Sequence, residues 1–256
     1  MILVIDIGNS NVVLGIYSGC KMLHCWRKST NALETPDEIG IFIIGLFNHN
    51  KLDICKIEGV VIESVVPQLE DSFAYAIKEY FKLIPLIVNS DIKTGISIKY
   101  DNPKELGTDR LVNAVAAYEL YGGPVIVIDF GTATKFCAVS DKGEHLGGII
   151  CPGIKVSAEA LSKSTAKLPV VDLHKPASFL CRNTVTAIQG GIIFGFEGIV
   201  KYIITEMKKE LGYDEVKVVA TGGLAQFVCA NNDMINTVNN YLTLDGLRII
   251  YEKTNR

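Results

Sequence analysis

The chain has 256 residues, which is enough for one large domain or for two domains of about 100–150 residues each. Hydrophobic residues make up 48% of the sequence, so it can bury sizeable cores, and the formal net charge is -3 with a pI of about 5.9. Because no basic surplus is present to neutralise a phosphate backbone, the composition argues against nucleic-acid binding.

The first half of the chain predicts an α/β domain. It opens with three short apolar runs separated by turn signals, which is typical of an antiparallel meander of strands. Pro67 suits the first turn of a helix. The predicted elements are strands at residues 2–7, 12–17 and 22–27, a helix at 36–48, a strand at 59–66, a helix at 67–81 and a strand at 83–88. Strands that alternate with helices indicate an α/β sheet.

The second half begins as the first half does. The stretch Val4–Ser10 aligns with Val127–Ala133, and each copy is followed by a further strand and a glycine turn. This is one long-period repeat, so we predict a duplicated domain with a small-molecule site in the cleft between the copies. The predicted elements are a connecting helix at 104–121, strands at 125–129, 136–139 and 146–151, a helix at 185–211, a strand at 216–220, a short helix from Leu224, a loop at 231–240 and a closing segment at 242–253.

Two predicted hairpins each carry an acid at the end of a strand, followed at once by a glycine turn. They are Asp6–Asn11 and Asp129–Thr134. Glycine lets an anion approach the backbone, and a carboxylate beside bound phosphates would act through Mg²⁺ or its water shell. Either hairpin alone could equally be an Asx turn. Their matching positions in the two halves favour two hairpins that hold one triphosphate.

Two further motifs have both a chemical and a structural interpretation. In Gly107–Arg110, Asp109 could accept a proton from a substrate hydroxyl and Arg110 could bind a carboxylate or phosphate, but the same residues could simply cap a helix. In Thr221–Gly223, bare backbone could lie against adenine or ribose, or form an ordinary strand-to-helix turn.

The P-loop and the dinucleotide-binding fingerprint are both missing from the sequence, which argues against a P-loop kinase and a Rossmann dehydrogenase.

The remaining signals concern the cell compartment. The N-terminal apolar run has no basic flank and is interrupted by Asp6, so we expect no signal peptide. We also expect no membrane span, because no stretch of about 18 uncharged apolar residues occurs. Seven cysteines without a C-x-x-C pair predict reduced thiols, and four histidines make a structural metal site improbable. A cytoplasmic protein is expected.

Taken in order, the motifs resemble those of type III pantothenate kinases over nearly the whole chain. The motifs that carry the resemblance are Asp6-x-Gly8-Asn9-Ser10, Ser64–Pro67, Gly107–Arg110, Asp129–Thr134, Gly147-Gly148-x-x-x-Pro152-Gly153, Asn183-Thr184, Thr221–Gly223 and Leu242–Leu247. The resemblance implies duplicated actin-like, ribonuclease H-like domains at residues 1–117 and 118–256. It also implies a homodimer that phosphorylates pantothenate with ATP to 4'-phosphopantothenate, the first step of coenzyme A biosynthesis.

The resemblance also implies roles for individual residues. Asp109 would be the catalytic base, and Asp129 would hold a monovalent cation, either potassium or ammonium, while Mg²⁺ would accompany the nucleotide. The expected ATP-binding residues are Asp6, Ile7, Gly8, Asn9, Ser10, Asn11, Val12, Val13 and Thr132. The expected pantothenate-binding residues are Tyr100, Gly107, Thr108, Asp109, Arg110 and Thr184.

Three positions depart from the family pattern. Lys135 and Cys137 stand where a threonine and an aspartate are usual, and Glu63 stands where a serine is usual. The first two changes favour an alternative hypothesis, a nucleotide-binding regulatory protein that transfers nothing. A filament-forming actin relative and a sugar or acetate kinase are further alternatives, which the short chain and the motif Gly107–Arg110 disfavour.

Overall fold

The structure is a computed structural model that describes residues 1–229 and 232–255. The chain divides into two compact units, residues 1–119 with 241–255 and residues 120–240. The expected division assigned every residue after 117 to the second domain, whereas the C-terminal helix packs within the first unit. Asn231, the first residue of an expected loop, lies outside the described residues.

The elements alternate between strands and helices in both halves. The strands are β1 Ile2–Ile7, β2 Asn11–Ser18, β3 Lys21–Ser29, β4 Gly59–Ser64, β5 Leu86–Ile87, β6 Ser97–Ile98, β7 Val125–Phe130, β8 Ala133–Val139, β9 Glu144–Pro152, β10 Lys217–Thr221 and β11 Thr237–Val238. The helices are α1 Pro36–His49, α2 Pro67–Ala76, α3 Thr108–Tyr121, α4 Ile154–Lys163, α5 Thr184–Leu211, α6 Ala225–Cys229 and α7 Leu242–Thr254. Strand β5 is shorter than predicted, and β11 lies where a loop was expected.

Strand order is the same in the two units. The first unit has the order β3-β2-β1-β4-β5, and the strands of the second unit lie in the order β9-β8-β7-β10-β11. In each unit the first three strands form an antiparallel meander, and the first strand pairs in parallel with the fourth. This repeated topology confirms the prediction of a duplicated α/β domain.

The first unit has a core on each face of its sheet. Leu3 and Ile5 belong to the core beneath α1 and α2, while Val4 belongs to the core formed with α3 and α7. Since successive side chains of a strand point to opposite faces, Asp6 lies on the same face as Val4, which is the face covered by α3. The apolar face of α7 completes this second core, with Leu247 fully buried there.

The long helix α5 forms the core of the second unit. Asn183 begins it by accepting a hydrogen bond from the Thr186 amide at 2.9 Å, and Gly212 ends it in the left-handed conformation with φ 68°. By length and composition alone this helix could cross a membrane. Its buried side chains, among them Val200 and Ile204, belong to the apolar core of the second unit.

Candidate active site

Parallel pairing of β1 with β4 brings two carboxyl groups together in the first unit. The register places Asp6 beside Glu63, and neighbouring strands lie only about 4.8 Å apart. Both side chains therefore occupy the same face of the sheet, the face covered by α3. Glu63 is 0% exposed. A fully buried acid next to a second acid is costly unless one of the two holds a proton.

A third acid reaches this cluster from the first turn of α3. The Asp109 carboxylate accepts a hydrogen bond from the Arg110 amide at 2.8 Å, and the positive end of the helix favours its negative charge. A Cβ at Gly107 would lie 2.8 Å from Asp109 Oδ1, so a glycine there makes room for the carboxylate. The Thr108 hydroxyl also contacts this cluster, because it donates to Glu63 Oε1 at 2.6 Å.

Burial raises the pKa of Glu63 well above its ordinary value. Loss of hydration is the largest cause, and the negative charges of Asp6 and Asp109 act in the same direction. The hydrogen bond from Thr108 opposes the rise, while a hydrogen bond between Glu63 and Asp6 adds to it. The protonated form of Glu63 is therefore favoured, and in that form its carboxyl group can donate a hydrogen bond to Asp6.

Arg110 is held in place by an aromatic partner. Its guanidinium donates to the Tyr100 hydroxyl at 2.7 Å and lies 5.4 Å from the centre of the Tyr100 ring. The arginine is only 9% exposed. A fixed guanidinium presents a planar fork of donors that matches a carboxylate or a phosphate. Tyr100, Thr108, Asp109 and Arg110, all predicted to bind the substrate, thus belong to one unit, together with Asp6.

The β1–β2 turn is the hairpin for which the sequence predicts phosphate binding. The Gly8 amide donates to the Asn11 carbonyl at 3.0 Å, and Thr30 supports the turn by donating to the Gly8 carbonyl at 2.6 Å. Asn9, Ser10 and Asn11 are exposed at its tip, whereas Ile7 and Val12 are buried below it. The tip therefore offers polar side chains and backbone to a ligand, while the strands anchor it.

The corresponding hairpin of the second unit contains an ion pair. Antiparallel pairing sets Lys135 opposite Asp129, with 3.4 Å between Nζ and Oδ2. The two side chains are 22% and 19% exposed. On the other side of the carboxylate, a Cβ added to Gly222 would lie 2.7 Å from Oδ1. Asp129 is thus confined between an ammonium group and bare backbone.

Two further predicted site residues lie in the second unit. Thr132 is exposed at the tip of the β7–β8 turn. Thr184 is the first residue of α5 and lines a groove of about 750 Å³ between α4 and α5, beside Arg182. Such a volume suits a small molecule.

The implied ions fit the residues to different degrees. Within residues 1–229 and 232–255, no group of three or more His, Cys, Asp or Glu side chains is arranged to hold a metal ion. One carboxylate such as Asp6 is nevertheless enough for Mg²⁺ that arrives with nucleotide phosphates, since that ion keeps its waters and phosphate ligands. A monovalent cation does not fit at Asp129, because the Lys135 ammonium already lies against that carboxylate.

Glu63 is the site residue that the sequence did not assign. Its departure from the usual serine and the position of an acid in the apolar run Gly59–Ser64 were the available signals. Neither signal predicts that Asp6 is the neighbour of Glu63, because this contact depends on strand register.

Solved structures with this fold include proteins described as activators and as kinases. A protein assigned to the Baf family of transcriptional activators from Campylobacter jejuni is 21% identical, with 99% of this chain and 100% of that chain covered and a TM-score of 0.62. The activator of 2-hydroxyisocaproyl-CoA dehydratase from Clostridium difficile, solved with bound ADPNP, is 11% identical over 99% and 95% of the two chains, with a TM-score of 0.54. A protein assigned as an N-acetylglucosamine kinase from Porphyromonas gingivalis is 12% identical over 100% of both chains, with a TM-score of 0.52.

These likenesses show the class of fold, which is the duplicated actin-like fold also seen in proteins assigned as sugar kinases. A sequence model of the type III pantothenate kinases matches residues 2–206. This chain belongs to the type III pantothenate kinase family.

Proposed function

We propose that this protein transfers the γ-phosphate of ATP to the primary hydroxyl of pantothenate, giving 4'-phosphopantothenate and ADP, the first step of coenzyme A biosynthesis. The observation that carries the proposal is the grouping of Asp109, Arg110 and Tyr100 at the start of α3, in a chain of this family. Pantothenate has a carboxylate for the guanidinium and a hydroxyl for the Asp109 carboxylate.

The hairpin of β1 and β2 is the proposed binding element for the ATP phosphates. Its residues Asp6 to Val13 combine exposed amide and hydroxyl side chains with a glycine, and Thr132 is a further proposed ATP contact. Mg²⁺ bound to the nucleotide would lie beside Asp6 and neutralise charge on the phosphates. The hydrogen bond with the buried Glu63 would orient the Asp6 carboxyl group.

Asp109 is proposed to accept the proton of the pantothenate hydroxyl. The Arg110 amide and the helix N-terminus hold its carboxylate in one orientation. Phosphoryl transfer has a loose transition state, so alignment of the hydroxyl contributes more than early removal of its proton. Arg110 and Tyr100 would fix the substrate, with Gly107, Thr108 and Thr184 as further proposed contacts. The implied potassium or ammonium ion enters no step.

The test is an ADP-release assay with ATP, run with and without pantothenate. We expect pantothenate-dependent release in the wild type, and a loss of about 10²–10⁴-fold in Asp109→Asn, the range that a general base contributes. Asp91→Asn, which changes an exposed aspartate of the same unit, is the matched control. Release that does not depend on pantothenate, or an unchanged Asp109→Asn variant, would contradict the proposal.

A homodimer in the cytoplasm is the proposed physiological form. Apolar side chains that precede α5 are strongly exposed, among them Phe179 at 79% and Leu180 at 82%, and a second copy could cover them. Light scattering on a size-exclusion column checks this expectation, since a monomer would have half the mass.

A regulatory, non-catalytic function is the second candidate. It is favoured by the likeness to the protein from Campylobacter jejuni and by Lys135 and Cys137 in the second hairpin. Under this alternative the chain binds ATP but releases no ADP when pantothenate is added, and the same assay separates the two functions.

A further inference from the structure

The ion pair between Lys135 and Asp129 places a fixed positive charge in the second hairpin. We propose that the Lys135 ammonium takes the place of a monovalent cation at Asp129, so that nucleotide binding and phosphoryl transfer by this protein need neither potassium nor ammonium. The inference rests on the proposed function, because it concerns the charge beside the nucleotide phosphates. It also follows from the poor fit of the implied cation to the residues present.

Both oxygens of Asp129 have close neighbours. The Lys135 ammonium lies 3.4 Å from Oδ2. Gly222 has φ +97°, and a Cβ on it would lie 2.7 Å from Oδ1, so the turn after β10 presses its backbone against the carboxylate. Gly131 approaches from the hairpin, where a Cβ would lie 3.6 Å from Oδ1. The carboxylate therefore faces the lysine, with backbone around the rest of it.

The first unit shows that the fold itself does not require this lysine. There the residue paired with the hairpin acid Asp6 is Val13, whereas Lys135 is paired with Asp129. A hairpin of the same topology, with a turn one residue longer, thus forms with an apolar residue at the paired position. A partly buried ion pair is also weak evidence for a stabilising role, since both charges lose hydration. The charge that Lys135 supplies is a better explanation of its position.

Coulomb's law argues against a second cation at this carboxylate. A potassium ion on the other side of the Asp129 carboxylate would be about twice as far from the lysine ammonium as from the carboxylate, so the repulsion would cancel about half of the attraction. The next side chain on this face of β8 is Cys137, which is buried and whose thiol is a soft ligand. Hard cations prefer oxygen. The surroundings of Asp129 therefore disfavour a free cation.

A lysine side chain is chemically suited to replace ammonium. It carries the same single positive charge and has three N–H donors. Because it is tethered to β8, its local concentration does not depend on the salt in solution. One donor can bind Asp129 while the others point to an anion, so the group can neutralise phosphate charge as a bound cation would.

The experiment compares the wild type with Lys135→Thr, which restores the residue usual in the family. Two quantities are measured in potassium chloride, ammonium chloride and tetramethylammonium chloride at equal ionic strength. They are pantothenate-dependent ADP release and the affinity for ADP by calorimetry. Lys135→Met is a second variant that keeps the length of the side chain. Lys209→Met, which breaks an exposed ion pair with Glu206 on α5, is the control for the loss of a lysine.

We expect the wild type and Lys209→Met to behave alike in all three salts. In tetramethylammonium, Lys135→Thr should lose about tenfold or more in ADP affinity and in turnover, and potassium or ammonium should restore both; a tenfold change corresponds to about 1.4 kcal/mol. Lys135→Met should show the same loss. In the variant, potassium or ammonium would thus bind at Asp129, whereas the wild type needs neither ion there.

Four outcomes separate this inference from the proposed function. A wild type that gains about tenfold in ADP affinity from potassium overturns the inference, whatever its turnover. Folded variants that match the wild type in every salt overturn it as well. Salt-independent ADP binding in the wild type and salt-dependent binding in the variants, without pantothenate turnover, supports the inference and refutes the proposed function. ADP binding in none of the proteins refutes both.

Discussion

Replacing Glu63 with glutamine tests whether this buried acid carries a proton in the folded protein. Glutamine keeps an oxygen that can accept from Thr108, and its amide can donate to Asp6 as the protonated carboxyl does. At low pH the two proteins should therefore differ by no more than about 1 kcal/mol, the net value of one hydrogen bond. The difference between them should grow as pH rises.

The direction of this pH dependence follows from the raised pKa of Glu63. Below the ordinary glutamate value of 4.5 the residue is protonated whether the chain is folded or unfolded, so its contribution to stability is fully present there. Above this value the unfolded chain releases the proton while the folded protein keeps it. Wild-type stability should therefore fall relative to Glu63→Gln by up to about 1.4 kcal/mol per pH unit, until pH exceeds the pKa in the folded protein.

Urea unfolding at a series of pH values measures this difference. The one tryptophan of the chain is Trp26 in β3, so its fluorescence follows the unit that contains Glu63. Glu159→Gln, which changes an exposed glutamate of α4, shows the effect of removing a carboxylate at the surface. A difference between wild type and Glu63→Gln that stays constant from acid to neutral pH would refute the assignment of a proton to Glu63.

Two further substitutions test how the two units hold their site residues. Arg110→Lys keeps the positive charge but loses the planar fork; we expect the KM for pantothenate to rise about tenfold or more with kcat little changed, since a hydrogen bond to a charged group contributes about 1.5–3 kcal/mol. An unchanged KM in the ADP-release assay would contradict the carboxylate-binding role. Gly222→Ala forces a side chain into a left-handed backbone against Asp129 and should destabilise the second unit by about 1–3 kcal/mol. Gly223→Ala, which meets open space, should cost less in urea unfolding followed by circular dichroism, and equal losses would contradict the steric argument.

Local signals in the sequence predicted most elements because those signals act between near neighbours. Turn residues separated β1 from β2, and Pro67 began α2 as expected. Helix α5 begins after Asn183 and ends before Gly212, so both of its ends lie within one residue of the predicted range. Capping groups act locally, because they bond to the adjacent turn of the same helix. The family motifs named the acids Asp6 and Asp129 for the same reason, as each lies within a short, characteristic stretch.

Contacts between distant parts of the chain could not be predicted from these local signals. The parallel register of β1 with β4 puts Glu63 beside Asp6, and the packing of α7 against α3 places the C-terminus in the first unit. A simple alignment of the two halves matches Val13 with Phe136, but the shorter turn of the second hairpin pairs Asp129 with Lys135 instead. Strand register and helix packing depend on which apolar faces are buried together, so the pairing of these charges follows from long-range packing and not from neighbouring residues.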